Sequence, residues 1–243
     1  PAMIEGGGLG IFAPKDIGPA EMHYKNGHID FLADDESEAT SVAKKLLSYF
    51  QGAKKDWTEG DQIPLRDMIP EDRRKGFPVR DIINTIADEA SFLELKKIFG
   101  RSVITGFIRL EGKPFAILAN DCQQLGGAID SAAADKAADF IEICSAHSLP
   151  VISFVDTPGF MVGPDSEKEG AFRRMGELFK HGARMKSPLV GIILRRGYGL
   201  GAMAMMGGSF VDPIYSASWP NGEFGGMGLE LSLIHISEPT RRI

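Results

Sequence analysis

Two glycine-bearing turns follow two apolar runs in the second half of the chain, and both could present peptide N–H groups to a ligand. The first turn, Asp156-Thr157-Pro158-Gly159-Phe160, follows Val151–Val155. The second, Gly197-Tyr198-Gly199-Leu200-Gly201-Ala202, follows Leu189–Leu194 and opens a short helix. N–H groups at a helix start lack partners, and glycine lets a ligand approach them closely. Two such turns on neighbouring strands could stabilise one developing negative charge, which is the chemistry of an oxyanion hole.

The second turn has two other interpretations. The run from Gly199 to Ala204 also matches the G-x-G-x-x-A pattern of dinucleotide-binding proteins. That fingerprint requires a long helix and then a strand that ends in an acidic residue. Here Gly207-Gly208 interrupts the helix, and no Asp or Glu ends the following strand. A tight turn with glycine needed only for packing is the other alternative. We favour the oxyanion hole and keep both alternatives open.

Charged residues flank both turns. Asp156 could be a catalytic acid, but an aspartate at the end of a strand is more often a turn former, and we favour that structural role. Gly159 and Phe160 are better candidates, through their N–H groups. The pair Arg195-Arg196 is either solvated or a clamp for an acidic group.

The composition excludes several classes of protein. The 243 residues suffice for one large domain or for one and a half smaller ones, and 43% hydrophobic with 25% charged residues is ordinary globular material. A net charge of -6 gives no basic surface for nucleic acid. No apolar run reaches membrane-spanning length, and we expect no signal peptide. Cys122 and Cys144 form neither a disulfide framework nor a zinc site, so we expect buried thiols in a cytosolic protein that holds no metal.

Alternating elements position the two turns. From Val103 onward the predicted order is strand, strand, helix, strand, helix, strand, helix, which is an α/β arrangement with ββα units. The predicted helices are 37–50, 79–87, 131–147, 169–185 and 201–206, and the predicted strands are 103–110, 115–119, 151–155, 189–194 and 215–218.

The remaining segments are predicted from turn residues. Asn26-Gly27 predicts a hairpin within residues 11–30. Residues 92–95 are interpreted as a short helical or turn segment, and 219–228 as a glycine-rich loop. Residues 53–78 are polar and carry three prolines, which predicts a linker.

The two ends of the sequence are interpreted separately. The chain starts abruptly within what looks like a motif, so we interpret it as a fragment. Residues 231–243 continue no earlier pattern and resemble the translation of a sequencing-library adapter. We expect this tail to be non-native and to pack poorly.

Several motifs, in order, give residues 79–230 a close resemblance to the C-terminal half of biotin-dependent acyl-CoA carboxylase carboxyltransferases. Residues 1–52 resemble the end of that family's N-terminal half, including Leu47-Ser48-Tyr49-Phe50. The matching motifs of the second half are Gly126-Gly127-Ala128-Ile129-Asp130, Phe154-Val155-Asp156-Thr157-Pro158-Gly159-Phe160, Arg196-Gly197-Tyr198-Gly199, Trp219-Pro220 and Glu223-Phe224-Gly225-Gly226-Met227-Gly228-Leu229-Glu230.

The resemblance implies a crotonase-like (ClpP/crotonase) fold, a spiral of ββα units used twice per chain. Residues 1–52 would be the tail of the first, acyl-CoA-binding domain. Residues 53–78 would be the linker, and residues 79–230 a truncated second domain that binds carboxybiotin.

The resemblance also implies the chemistry: a carboxyl group moves from carboxybiotin to the α-carbon of an acyl-CoA of the acetyl-CoA or propionyl-CoA class. The thioester enolate and the ureido anion of biotin must both be stabilised, and fixed N–H groups can do this without a catalytic side chain. By position, the N–H groups of Gly201 and Ala202 would hold the biotin carbonyl, with Gly159-Phe160 lining the same pocket. Gly7-Gly8 would hold the acyl thioester.

Three further residues are carried over with departures from the family pattern. Tyr198 and Gly199 belong to a matched motif and are expected to contribute to substrate binding. Leu200 is an extra residue against the family's Tyr-Gly-Gly-Ala-Tyr-Asp, which leaves the register open by one. The Asp of that motif becomes Ala204, so the acyl-chain preference stays open. The zinc-ribbon cysteines of one bacterial acetyl-CoA branch do not occur.

The resemblance implies partners as well. The expected cofactor is biotin on a carrier domain, with a biotin carboxylase and carrier subunit as partners in the cytoplasm. The site would lie between two subunits of a homo-oligomer, so this fragment alone should be inactive. The alternatives are a biotin-dependent acyl-CoA decarboxylase, which runs the transfer backwards, and a non-catalytic crotonase-like assembly module.

Overall fold

The computed structural model describes residues 2–228, in which a mixed sheet is packed between helices. The adapter-like tail and the last two residues of the glycine-rich motif, Leu229-Glu230, lie outside the described residues. The helices are α1 (Ala2–Gly6), α2 (Ala20–Lys25), α3 (Glu36–Ser48), α4 (Val79–Ile86), α5 (Ser131–Ala146), α6 (Pro164–Lys168), α7 (Ala171–Arg184) and α8 (Gly199–Met205). Short 3-10 helices occur at Pro14–Asp16, Ile63–Arg66 and Leu125–Gly127.

The sheet has the strand order β1-β2-β3-β4-β5-β6, and β7 also pairs with β5. Its strands are β1 (Leu93–Leu95), β2 (Val103–Leu110), β3 (Lys113–Asn120), β4 (Val151–Thr157), β5 (Leu189–Tyr198), β6 (Tyr215–Ser218) and β7 (Glu223–Gly225). Pairs among β1, β2 and β3 are antiparallel, and all later pairs are parallel. The predicted α/β class and the parallel pairing of the two apolar runs are confirmed.

The β2–β3 hairpin turns at Glu111 and Gly112. Glu111 and Gly112 have φ of 50° and 74°, the left-handed values that a two-residue hairpin turn requires. The N–H of Lys54 donates to the Gly112 carbonyl at 3.0 Å, and a Cβ on Gly112 would overlap the Lys54 carbonyl. Glycine is therefore needed both for the turn and for the close approach of the segment that follows α3.

Apolar side chains cover both faces of the sheet because they alternate along its strands. Val151 and Val155 of β4 face the core formed with α5, whereas Ile152 and Phe154 face the core formed with α4. Three alanines of α5, Ala133, Ala134 and Ala137, are fully buried and let that helix lie close to the strands. Val42 and Leu46 of α3, together with Tyr49 and Phe50 just after it, join the same core as α5.

The predicted hairpin at Asn26-Gly27 is wrong, because these residues end α2. Asn26 is the C-cap, and Gly27 follows it with φ 82°. The N–H of His28 donates to the His23 carbonyl at 2.9 Å, which closes the last helical turn. A left-handed glycine serves a helix end as well as a hairpin turn.

Other boundaries also differ from the sequence-based predictions. Leu93–Leu95 is a strand rather than a helical segment, because it pairs with β2. The predicted helix 169–185 starts at Ala171, after Gly170 with φ 72°, and α6 precedes it as a separate helix. The glycine-rich loop contains β7.

Residues 53–78 lie against the sheet through two buried side chains. Ile69 and Phe77 belong to the core that contains α4. The segment is otherwise irregular and mostly exposed, as its prolines predict. The division of the chain into the tail of one domain, a linker and a second domain stays a prediction.

Both cysteines are free thiols in buried positions, as predicted. Burial raises the pKa of Cys144 to about 12, and it also raises the pKa of Cys122. The Cys122 thiol donates to the Phe77 carbonyl at 3.3 Å. Neither side chain is therefore set up as a reactive thiolate.

Lys136 of α5 is a buried cation, and it makes stability depend on pH. Its Nζ donates to the carbonyl oxygens of Lys96 and Val103 at 2.9 and 2.8 Å. Burial nevertheless lowers the pKa of Lys136 to about 8, from an ordinary value near 10.5. Between these two values Lys136 binds more protons in the unfolded chain than in the folded one, so its contribution to stability rises with pH.

We therefore expect the free energy of unfolding of the wild type, minus that of Lys136→Met, to increase from pH 8 to pH 10 by up to about 1.4 kcal/mol for each pH unit. Urea denaturation of both proteins at several pH values measures this difference. The two buried thiols, whose raised pKa values make stability fall with pH, are present in both proteins and cancel. Equal slopes for the two proteins would contradict the assignment to Lys136.

No helix among residues 2–228 combines the length and the apolar character that a bilayer crossing requires.

Candidate active site

The two predicted turns lie side by side at one edge of the sheet. β4 ends at Thr157, and its parallel neighbour β5 ends at Tyr198. The carboxyl ends of neighbouring parallel strands meet at the same edge, where open α/β sheets commonly bind ligands. The bend at Gly159-Phe160 and the start of α8 therefore adjoin each other, as the sequence predicts.

The backbones of the two bends are in direct contact at Gly201. A Cβ on Gly201 would stand 2.7 Å from the Gly159 carbonyl carbon and 2.9 Å from the Phe160 nitrogen. Real Cβ atoms do not approach backbone atoms this closely, so Gly201 lets α8 lie directly against the first bend. The close packing of the two glycine-bearing turns is thus explained by the absence of a side chain at this residue.

The N–H groups of the first bend differ in whether they donate a hydrogen bond. The Gly159 N–H donates to Thr157 Oγ1 at 3.1 Å. A bridge to Ile129 uses the Gly159 carbonyl and the Met161 N–H, at 3.0 and 2.8 Å. The Phe160 N–H, which lies between them, donates to no residue in the described part of the chain. Of this bend, Phe160 therefore has an N–H group available to a ligand.

The start of α8 supplies the second set of N–H groups. The helix begins at Gly199, so the N–H groups of its first turn, including those of Leu200 and Gly201, have no acceptor within the helix. Ala202 is the fourth residue, where helix geometry directs the N–H towards the Tyr198 carbonyl. The start of α8 therefore offers the N–H groups of Leu200 and Gly201, and the role expected of the pair Gly201 and Ala202 stays a prediction.

Asp156 holds both flanking arginines beside the site. Its carboxylate is fully buried and accepts from Arg195 Nη2 at 2.8 Å and from Arg196 Nε at 2.9 Å. Consecutive strand residues normally point to opposite faces. Here the β4–β5 register shifts between Val155 and Thr157, which lets two consecutive side chains reach one carboxylate.

This network agrees with the structural interpretation of Asp156 and shows that Asp156 itself is an acidic group held by the arginine pair. Arg195 is not solvated: it is buried, stacks over the Phe77 ring at 4.9 Å and donates to the Lys75 carbonyl at 2.6 Å. Arg196 Nη2 donates to the Gly126 carbonyl at 2.7 Å. The Gly126-Gly127 motif is thereby fixed against the end of β4.

Tyr198, the N-cap of α8, is fixed by a residue that the sequence interpretation missed. Its hydroxyl donates to Glu223 Oε2 of β7 at 2.6 Å, and Glu223 also pairs with Arg73. Burial, reinforced by the Glu223 carboxylate, raises the pKa of Tyr198 to about 12. The ring therefore stays neutral and ties the end of β5 to β7. The predicted motif contained Glu223, but only pairing of β7 with β5 could reveal its partner.

An apolar cavity of about 550 Å³ opens beside the bends. Its walls come from the first bend, from α6 and α7, and from the start of α8. The walls include Phe160, Met175, Gly176, Phe179 and Leu200. The sequence interpretation missed the α7 wall, although Phe172, Gly176 and Phe179 recur at helical spacing.

Two sequence-based site predictions lie elsewhere. Gly7 and Gly8 end α1, where their N–H groups donate to the carbonyls of Met3 and Glu5, both at 3.0 Å. Only local residues surround Gly7, and nothing lies within 4 Å of a Cβ on Gly8. Ala204 is fully buried in the core formed with α5 and does not line the cavity. The roles expected of these residues stay predictions.

The site is therefore built from peptide groups and apolar walls. Within residues 2–228 no group of three or more His, Cys, Asp or Glu side chains is arranged to hold a metal ion. Asp156 and Tyr198 at the ends of β4 and β5 are engaged by Arg195, Arg196 and Glu223, and Glu167 contributes a carboxylate to the cavity wall. Such an arrangement can stabilise negative charge on oxygen without exchanging a proton.

Comparison with known proteins identifies a family whose sequence pattern this chain matches. Residues 12–232 match the carboxyl transferase domain. The chain is 33% identical over 227 residues to the methylmalonyl-CoA carboxyltransferase 12S subunit of Propionibacterium freudenreichii subsp. shermanii, covering 88% of this chain and 43% of that protein. It is 32% identical over 234 residues to the propionyl-CoA carboxylase beta chain of Saccharopolyspora erythraea, covering 89% and 43%.

Solved structures share the fold. A single-chain, multi-domain long-chain acyl-CoA carboxylase superposes with a TM-score of 0.93 at 50% identity, covering all of this chain and 25% of that one. The hexameric transcarboxylase 12S, solved with methylmalonyl-CoA and methylmalonic acid, superposes with a TM-score of 0.85 at 30% identity, covering 98% and 49%. These neighbours establish the crotonase-like fold. The chain spans less than half the length of the curated relatives it matches.

Proposed function

We propose, because the chain belongs to the carboxyl transferase domain family, that it forms the biotin half of a site at which a carboxyl group is transferred between biotin and an acyl-CoA. One observation carries the proposal: the Gly159-Phe160 bend and the start of α8 touch at Gly201 and carry unpaired N–H groups. The donors are fixed before a ligand arrives, as electrostatic stabilisation requires.

The residues present fit biotin. When bound, biotin supplies a ureido group that carries the carboxyl and on whose oxygen negative charge develops. The N–H groups of Phe160, Leu200 and Gly201 are the donors we assign to that oxygen. Phe179 and Met175, in the cavity wall, would cover the apolar body of the ring and exclude water, which strengthens the hydrogen bonds. No protein side chain is assigned as acid or base.

The register of the second bend follows from this assignment. The predicted pair was Gly201 and Ala202, with an uncertainty of one residue from the extra Leu200. Because Ala202 is the fourth residue of α8, we assign Leu200 and Gly201 instead, and Ala202 packs behind them in the core.

The acyl half of the site is proposed to come from another subunit of a homo-oligomer. In the same way, Gly7-Gly8 of this subunit would contribute to the acyl half of a neighbouring subunit's site, once the hydrogen bonds that end α1 are broken. A biotin carrier and a biotin carboxylase, acting with this protein in the cytoplasm, complete the proposed system.

Two acyl-CoA classes are candidates. The propionyl-CoA carboxylase and methylmalonyl-CoA carboxyltransferase relatives support the short acyl class, and the reverse, decarboxylating direction remains the alternative. A longer acyl chain is a second candidate, because identity rises from 33% with the short-chain relative to 50% with the long-chain acyl-CoA carboxylase.

The test uses the full-length protein, free biotin and carboxylated acyl-CoA thioesters derived from acetyl-, propionyl- and palmitoyl-CoA. Release of the decarboxylated thioester that depends on biotin supports the proposal, and the thioester with the highest kcat/KM identifies the acyl class. A folded oligomer that transfers no carboxyl group from any of the three would instead support the assembly module.

A further inference from the structure

Gly176 is a glycine in the middle of a helix where the protein itself does not need one. It is the sixth residue of α7 and is solvent-exposed. Glycine is a poorer helix former than alanine, so a glycine here weakens α7. Nothing lies within 4 Å of the position that a Cβ on Gly176 would occupy.

Gly182 of the same helix shows the contrast. A Cβ there would stand 2.7 Å from the Gly207 carbonyl oxygen, so its glycine is required for packing. Gly176 has helical backbone and lies in an uninterrupted helix, so neither a left-handed conformation nor a kink explains it. Contacts among the described residues therefore do not explain why a glycine occupies position 176.

The side of α7 that carries Gly176 faces the apolar cavity beside the two bends, because Phe172 and Phe179, one helical turn before and after it, line the same cavity. Gly176 lines the cavity together with Phe160, whose N–H is unpaired, and with Leu200 at the start of α8. Phe160 and Phe179 face each other with ring centroids 6.1 Å apart. A molecule whose polar end meets the bends therefore has its apolar body next to the bare backbone of α7.

We propose that Gly176 is a ligand-contacting position that admits the fused ring of biotin against α7. This inference rests on the proposed function and adds a specificity-determining residue to it. Alanine at this position narrows the space by one methyl group, and leucine fills it. Both changes act on biotin and leave the acyl-CoA half of the site, assigned to another subunit, unaltered.

The experiment compares Gly176→Ala and Gly176→Leu with the wild-type full-length protein. Ligand-observed NMR measures binding of free biotin and, separately, of acyl-CoA, and thermal unfolding measures stability. We expect Gly176→Ala to raise Tm by roughly 2 °C, because alanine favours the helix and meets no neighbour. Its affinity for biotin should fall about tenfold, Gly176→Leu should lose biotin binding, and acyl-CoA binding should be unchanged in both.

Kinetics give a second readout in the same proteins. The KM for free biotin should rise in Gly176→Ala while the KM for the acyl-CoA stays constant. Ala183→Leu, which adds the same bulk at an exposed position of α7 outside this cavity, is the control and should bind biotin as the wild type does.

Three outcomes overturn the inference in distinguishable ways. Unchanged biotin affinity in both Gly176 variants, with lost affinity in Gly201→Ala, would reject the role of Gly176 and keep the proposed function. Unchanged affinity in all three variants would reject the proposed function itself. A fall in acyl-CoA affinity with constant biotin affinity would show that the cavity holds the acyl group.

Discussion

Replacing Gly201 by alanine is expected to lower the rate of carboxyl transfer about 100-fold or more. The new Cβ would stand 2.7 to 2.9 Å from backbone atoms of Gly159 and Phe160, so one bend must move. Loss of a single correctly placed oxyanion donor costs roughly 10²- to 10³-fold in kcat. The rate of biotin-dependent transfer by the full-length protein measures the effect.

Two controls separate the site from general destabilisation. Gly182→Ala creates a comparable overlap with the backbone of Gly207, which follows the C-terminal end of α8, and should cost stability but keep transfer in the folded protein. Val211→Ala removes an exposed side chain that does not line the cavity, so it should retain most of the transfer. A Gly201→Ala protein as active as the wild type would place the developing charge elsewhere.

Replacing Asp156 by alanine should lower the free energy of unfolding by about 3 to 5 kcal/mol, because the variant leaves the buried guanidinium of Arg195 without its carboxylate. Arg195 and Asp156 side chains are 3% and 0% exposed, so water cannot replace the lost partner. The loss should appear as a lower midpoint in urea denaturation with little change in m-value.

An exposed carboxylate on the same side of the molecule provides the comparison. Asp165 pairs with Lys168 at 3.1 Å, and both side chains are largely solvent-exposed. Asp165→Ala should therefore change stability by less than about 1 kcal/mol. If Asp156→Ala were equally mild, the two arginines would have to find other acceptors, and the network would not be what fixes the end of β5.

Patterns with a single structural meaning were predicted well from the sequence. The apolar runs of β4 and β5 have the length and composition of buried parallel strands, and both ends carry residues that stop a strand. The ββα order then places their turns at one edge of the sheet. The location of the candidate site therefore follows from local patterns alone.

Residues with two possible structural uses were predicted less well. Asn26-Gly27 fits a hairpin and a helix end equally, and the choice depends on whether strands flank it. Leu93–Leu95 is too short for a periodicity and becomes a strand only because β2 lies beside it. Partners distant in sequence decide both cases.

The same limit applies within the site. Which N–H groups are available depends on the bridge from Ile129 to the first bend and on the residue at which α8 begins. The partners of Arg195 and Arg196 depend on a shift of register that no local pattern indicates. The position of the candidate site could be predicted from the sequence, but which of its N–H groups lack an acceptor could only be determined from the structure.

That shift of register has a consequence for how the site can change. Val155 pairs with Ile193 and Thr157 with Gly197, so β5 advances by four residues over a stretch in which β4 advances by two. β5 therefore has two more residues than β4 in this stretch. Because side chains alternate between the two faces of a sheet, an even number of extra residues leaves the later side chains on their original face, whereas an odd number would place them on the opposite face. Insertions or deletions in pairs at this place could therefore lengthen or shorten the edge that carries α8 while the inward and outward sides of both strands stay in phase.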